Sequence, residues 1–448
     1  AATTATYLTA VGKDALGVCT EGVANTAVGY GSIAAVTDGD YNVGLGQHSG
    51  FTTTGSRNIF AGTAAGMYAT STDDCIAIGR GALSGVDAYQ AVPTKSADVT
   101  GNYNIAVGSY SLDATTSAAE NVAIGHNALT STSTGGANVA IGNLAGQNTT
   151  GNNNVIVGND AGKFTTSVDH SIAIGKAALK GDGTTAPTGN SNVAIGSYSL
   201  DATTTGNSNV AVGYSAASAT TTGVGQVAIG YNAGLRAIGD HNILLGLQAG
   251  YFGSGASECI AIGHNAMLGA AADTVSCTVA DGDATVNCSS SSVVNVGQYV
   301  TGTGVPNGTT VLGSGMTGTG GTNVTVFELS ANVVLGGAST TQTLTFYKTT
   351  GDYNIAIGGS SLDAVTDGHS NLAVGYQAGT AITTGDYNVL LGRAAGNALT
   401  GEGYNIAIGY NTLGSEESGA NGCVAIGHEA LADQDVASAN NVAVGAFA

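Results

Sequence analysis

Three histidines, His126, His264 and His428, each stand directly after a glycine of one short recurring motif. Imidazoles repeated at one position could ring an oligomer axis as metal ligands. In other copies, however, the same position holds Lys13, Tyr30, Arg80, Asn143, Ser197 or Tyr376. A position that accepts all of these reads as solvated surface. Asp281 and Asp283 fall at a hairpin tip that could hold calcium, but the EF-hand spacing is missing and turn chemistry accounts for them. Glycan hydrolysis needs two carboxylates facing a sugar across a cleft. The acidic residues here, Asp40, Asp352, Asp386 and the Glu416-Glu417 pair among them, lie in turn-like segments. No Ser-His-Asp or Cys-His grouping stands out. The chain therefore reads as non-enzymatic, with no catalytic residue, no metal and no cofactor expected.

Six cysteines in 448 residues are too few for a disulfide scaffold. Cys277 and Cys288 fall opposite each other if Gly282-Asp283 form a two-residue hairpin loop. A disulfide between them is one reading, and a pair of small buried hydrophobes is the other. Cys75, Cys259 and Cys423 instead replace the motif asparagine, and the absence of CxxC pairs argues against structural zinc. Tyrosine recurs before that asparagine (Tyr103, Tyr353, Tyr387, Tyr404) and after the glycine (Tyr214, Tyr231, Tyr376, Tyr410). Such rings could stack on glycans; filling the corners between repeats is the simpler role.

The elements that carry these residues follow from composition and period. Glycine numbers 72 and proline 3, and only 9% of residues are charged while 43% are apolar. That is too apolar for disorder, and the small side chains call for close backbone packing. The net charge of −20 repels phosphates, so nucleic acid is excluded as a partner. No apolar run reaches the roughly 20 residues of a spanning helix, so membrane insertion by a helix is not expected. A chain beginning at Ala1 is expected to have a processed or trimmed N-terminus.

The motif Asn-(Val/Ile)-Ala-(Ile/Val)-Gly recurs 21 times, from Gly12 to Gly445, mostly every 17 residues. Longer gaps of 29, 21 and 95 residues follow Gly79, Gly175 and Gly263 and mark blocks of five motifs. One motif per block carries a large residue in place of alanine: Phe60, Ile156, Leu244 and Leu390. Each unit reads as one coil: a short β-branched strand stopped by glycine, a second apolar stretch such as Asn127-Ala128-Leu129, and a Thr/Gly/Asn turn. Helical periodicity is absent. The expected fold is all-β, a parallel β-solenoid of about 21 coils of ~17 residues and, at about 4.8 Å per coil, roughly 100 Å long. Stacked motif asparagines can form amide ladders, or they merely suit the turn.

Along Val122-Ala123-Ile124 the outer two side chains point one way and the alanine the other. The alanine position is alanine in sixteen copies, Gly44 in one and large and apolar in four, and never polar. Strands apolar on both faces are buried on both. We therefore expect Val and Ile to fill the coil and the alanine face to form the seam of a homo-oligomer, a trimer being the simplest closed form. Ala123, Ala140, Ala194, Ala228, Ala356 and Ala407 represent that seam.

The units resemble the Thr-Thr-Gly-x-x-Asn-Thr-Ala-Ile-Gly-Tyr-x-Ala-Leu repeats of phage tail fibres that carry an endosialidase-type C-terminal chaperone. Tyr231-Asn232-Ala233-Gly234 and Tyr410-Asn411-Thr412-Leu413 match that pattern closely. They are also similar to the Asn-Ser-x-Ala-Ile-Gly coils in the heads of YadA-like trimeric adhesins. No chaperone domain or membrane anchor is recognisable. The resemblance implies the shaft of a virion fibre that positions host-receptor binding, with a cell-surface glycan or protein as receptor. A bacterial surface adhesin or extracellular filament is the alternative, and a tailspike-like glycan hydrolase a third. Either setting is a virion or the extracellular surface.

Residues 268–350 interrupt the repeats, dividing the chain into coils over 1–267, an insertion, and coils over 351–448. Thr274–Val279, Ala284–Asn287, Thr309–Leu312, Asn323–Leu329 and Gln342–Tyr347 read as strands of a small β-sandwich or barrel. Residues Val300 to Thr310 resemble a segment of decorative β-domains in phage structural proteins.

Overall fold

A strand of three residues cannot bury itself, so each repeat needs the next one to complete its hydrogen bonds. The computed structural model describes residues 4–85, 98–181, 187–237, 239–251, 256–268, 351–414, 419–432 and 439–448, and six strands and Val305 between 269 and 350. The chain divides into two compact units, Ala1–Thr205 and Gly206–Ala448. The first holds eleven three-residue repeat strands, Thr9–Val11 to Val193–Ile195, and the second holds ten, Val210–Val212 to Val442–Val444. Neighbouring strands pair in parallel and in motif register, as Val122↔Val139, Ala123↔Ala140 and Ile124↔Ile141. The protein is thus all-β, a parallel β-solenoid with turns of about 17 residues, and no helix occurs among the described residues.

Backbone bonds link coil to coil on every side of the turn. Val122 N–H donates to Asn138 O at 2.8 Å, Gly125 N–H to Val107 O at 2.8 Å and Leu129 N–H to Ala145 O at 3.0 Å. The corners require unusual dihedrals: Asn127 and Leu129 have φ of 56° and 49°, left-handed values that cost energy in non-glycine residues. The inter-coil bonds hold them there. At the motif glycine no side chain is possible. Gly46 has φ of +129°, and a Cβ on it would lie 2.8 Å from the Gly62 carbonyl oxygen of the next coil.

The interior corrects the expected orientation of the strands. Ala123, Ala140, Ala194, Ala228, Ala356 and Ala407 are all 0% exposed within a single chain. They are core residues and do not form a seam between chains. Val122 is only half-buried, and Ile124 is 39% exposed. The reason is volume. The coil is thin, and each strand faces a corner side chain such as the fully buried Leu83, Leu112 or Leu129. An alanine opposite a leucine fills that space, whereas two branched residues would overfill it. Even a Cβ at Gly44 would approach Ile33 Cγ1 to 2.6 Å.

The insertion folds back to where it began. Ile260–Ile262 pairs directly with Ile355–Ile357, as though 268–350 were absent. Between them lies one six-stranded antiparallel sheet in the order Tyr299–Thr301, Thr340–Tyr347, Asp273–Val279, Thr285–Ser291, Thr322–Leu329, Val311–Thr319. All five expected strands have counterparts. Tyr299–Thr301 was not foreseen, because three residues carry no alternation. Val311–Thr319 runs further than expected, its glycines having read as turn residues.

Candidate functional site

Side chains at equivalent coil positions form columns, and each column has its own chemistry. The motif asparagines form a buried ladder. Asn138 donates both its backbone N–H and its Nδ2 to Asn121 Oδ1, at 3.0 and 3.1 Å, and Asn121 Nδ2 donates to Gly135 O at 3.0 Å. The same pattern joins Asn25, Asn42 and Asn58, and later Asn354, Asn371 and Asn388. The amide supplies an acceptor and donors where the buried turn backbone needs both. Cys75 and Cys259 occupy this column. Their thiols lie 3.5 Å from Gly101 O and Gly351 O, and burial pushes both thiols up to about 11. Such thiols are poor nucleophiles and poor metal ligands.

A second ladder, two residues before the asparagine, was not foreseen. Asp40 Oδ1 accepts from Val23 N–H at 2.7 Å, Asp73 from Ser56 N–H at 2.7 Å, Asp352 from Ser257 N–H at 2.8 Å and Asp386 from His369 N–H at 2.6 Å. The turn carboxylates are thus engaged in tying coils together. Asp281, Asp283 and the Glu416-Glu417 pair lie outside the described residues. So does the Gly282-Asp283 loop, although the flanking backbone does set Cys277 opposite Cys288. The side chains of both cysteines are outside the described residues.

The histidines do not converge. His126 meets Tyr110 edge-on at 6.2 Å and Asn143 Nδ2 at 3.3 Å. His428 lies between Tyr410 and Phe447, each ring 5.1 Å away. Among the described residues no group of three His, Cys, Asp or Glu could hold a metal ion. The tyrosines stack on one another, Tyr214 on Tyr231 at 5.3 Å and Tyr387 on Tyr404 at 5.1 Å. Arg393 lies between Tyr376 and Tyr410, at 6.0 and 5.7 Å. Stacking covers ring faces that a sugar would otherwise use.

A shallow polar notch opens in the first unit, lined by Ser117, Glu120, Asn152, Asn153, Asp169 and His170. It exists because Ala119 and Gly136 stand where other coils place a carboxylate or amide. Asn152 and Asp169 are already bonded within the turn ladder.

One core regularity was only half read from the sequence. Phe60 is fully buried, and a Cβ on Gly50 would come within 2.6 Å of its ring; Gly66 is equally incompatible. Ile156 is matched by Gly146 and Gly162, Leu244 by Gly234 and Gly250, and Leu390 by Gly379 and Gly396. A large strand residue replaces the corner leucines of two coils. The signal was present in the sequence, since a glycine lies six residues after each large residue.

Taken together these columns define a parallel β-solenoid repeat protein whose motif asparagines and turn aspartates bond one coil to the next. Comparison with family models, with curated proteins and with solved structures found no match.

Proposed function

We propose that the chain is the structural shaft of an extracellular fibre, of the phage tail-fibre type, built from copies of itself and holding receptor-binding parts away from a virion. The observation that carries this reading is the use of side chains. Buried asparagines bond coil to coil, turn aspartates accept an N–H from the neighbouring coil, and tyrosines of adjacent coils stack. Such a column transmits load and register, and it leaves little polar chemistry for a substrate. The acidic surface, 30 Asp and Glu against 10 Lys and Arg, suits a solvated extracellular stalk better than a nucleic-acid or anionic-membrane partner.

The receptor is a host cell-surface glycan or protein, and the insertion is the segment best placed to meet it, because its sequence is unique and it leaves the coil at one point. Labelling the chain with a specific antibody and imaging native virions tests the proposal. Label along a thin fibre is the expected result. Label on a cell surface instead would place the chain in an adhesin. Release of reducing sugar from host surface polysaccharide by the pure protein would make it a hydrolase.

A further inference from the structure

In the repeat, the residue two places before the motif asparagine donates its N–H to the side chain at the same place in the next coil. Val23 does so to Asp40 and Ser56 to Asp73, both at 2.7 Å. The pattern fails at Ala119. The next coil holds Gly136 there, which has no side chain, and a Cβ on it would stand 3.9 Å from Ala119 N. Among the described residues the Ala119 N–H, half-buried, has no acceptor. The adjoining column narrows at the same point, from Glu120 to Ala137. These small residues open the polar notch of the first unit, whose volume of about 420 Å³ lies within the roughly 300–1,000 Å³ of small-ligand sites. An N–H left without an acceptor costs free energy that an incoming oxygen recovers.

We propose that this notch binds a neutral sugar unit of a glycan. The site goes beyond the fibre reading and stands or falls apart from it. Acceptors surround the Ala119 donor. Glu120 brings an exposed carboxylate, and Asp169 brings Oδ2, since its Oδ1 already takes Asn152 N–H and Nδ2 at 2.6 and 3.3 Å. Ser117 and Asn153 both donate and accept. A sugar hydroxyl does the same, so a ring carrying several of them answers this mixed lining. A carboxylated or sulfated sugar is repelled, because two carboxylates and no lysine or arginine line the notch. A metal ion lacks ligands, as no group of three His, Cys, Asp or Glu among the described residues could hold one. Tyr103 extends the site by one coil. It is 58% exposed, and its neighbours in the column are Asp74 and Glu120. Unlike Tyr387 and Tyr404, it therefore stacks on no other ring among the described residues, and its face is open to the next sugar of a chain.

The test applies the labelled full chain to an array of neutral oligosaccharides of glucose, galactose, mannose and N-acetylglucosamine, with sialylated and sulfated ones beside them. Wild type is expected to bind at least one neutral oligosaccharide in preference to the acidic ones. Gly136→Asp supplies the carboxylate that Asp40 and Asp73 bring to their coils. It closes the notch and gives the Ala119 N–H its acceptor, so it should keep the melting temperature and weaken binding at least tenfold. Glu120→Ala, at an exposed side chain, should weaken binding by a similar factor, and it is read alone should Gly136→Asp not fold. A wild type that binds no neutral oligosaccharide, or that prefers the acidic ones, overturns the proposal. Wild-type binding retained by either folded variant also overturns it, and puts the sugar on another coil or on the insertion. None of these outcomes touches the fibre reading, which the labelling of virions tests by itself.

Discussion

At Phe60 the core exchanges a strand alanine for an aromatic ring, and Gly50 and Gly66 make room for it. Phe60→Ala should therefore cost about 3–5 kcal/mol through lost burial and the cavity left behind, seen as a fall in the denaturant midpoint. Gly66 has φ of +60°, close to the 49° of Leu129 at the equivalent corner, so a leucine there is conformationally tolerated. Adding Gly66→Leu to Phe60→Ala should recover stability, whereas Gly66→Leu alone should destabilise by overpacking. A double-mutant cycle with less than about 0.5 kcal/mol of coupling would contradict the volume exchange. Glu402 offers a test in pH. Burial pushes its carboxyl up, but N–H groups of Thr400, Gly401 and Gly419 donate to it at 2.6, 3.0 and 3.2 Å, and the net shift is downward. A folded value below the unfolded one stabilises above the unfolded carboxyl range, and that stability is lost as pH falls through the folded value. Glu402→Gln should therefore lower the melting temperature at pH 7, and the gap to wild type should close in acid.

The coil is held as much by its columns as by its strands. Replacing Asn121 with alanine leaves Asn138 N–H and Gly135 O without their buried partners, at about 1–3 kcal/mol for each group. Hydrogen exchange should quicken first in the amides of coils 121 and 138, with distant coils of the same unit unaffected, because repeats contact mainly their neighbours. The thiols of Cys75 and Cys259 are buried, and burial raises both to about 11. In the native protein they should resist a maleimide at pH 8, and they should react promptly in denaturant. Rapid native labelling of either would show that the asparagine column opens there. The register sets Cys277 opposite Cys288 on neighbouring strands, and alkylation with and without reductant distinguishes a bond from two thiols.

For the whole molecule, the insertion is a detour between two coils that already pair. Ile260, Ala261 and Ile262 bond in register to Ile355, Ala356 and Ile357, and Met267 N–H donates to Ser361 O at 2.9 Å. Deleting residues 270–348 and joining Gly269 to Thr349 should leave the melting temperature and the native mass per copy consistent with an intact solenoid. Receptor binding should fall with the same deletion. Binding retained at wild-type strength would place the receptor site on the coils or elsewhere in the fibre. The alanine position gives the opposite outcome to the one its sequence suggested. Ala123→Asp puts a charge into the coil interior, so it should cost several kcal/mol and unfold its coils. It should not yield a folded monomer.

The sequence by itself determined the solenoid, because a repeat of about 17 residues with one short strand and a fixed glycine admits few ways to satisfy its backbone. It also determined where the repeat strands fall, and it offered the amide column as one of two readings of the motif asparagines, because both follow from local composition and period. It could not decide which face of the strand turns inward. Alternation separates two faces, but when both are apolar the choice depends on what stands opposite, and the packing of Ala27 with Leu16 and Ile33 is a tertiary fact. The carboxylate column was illegible for the same reason. A turn aspartate looks alike whether it faces water or accepts an N–H from the preceding coil, and only the stacking distance distinguishes them. The pairing of Phe60 with Gly50 and Gly66 lies between these cases. Its spacing is printed in the sequence, yet its meaning rests on the coil being too thin to hold a leucine and a phenylalanine at once.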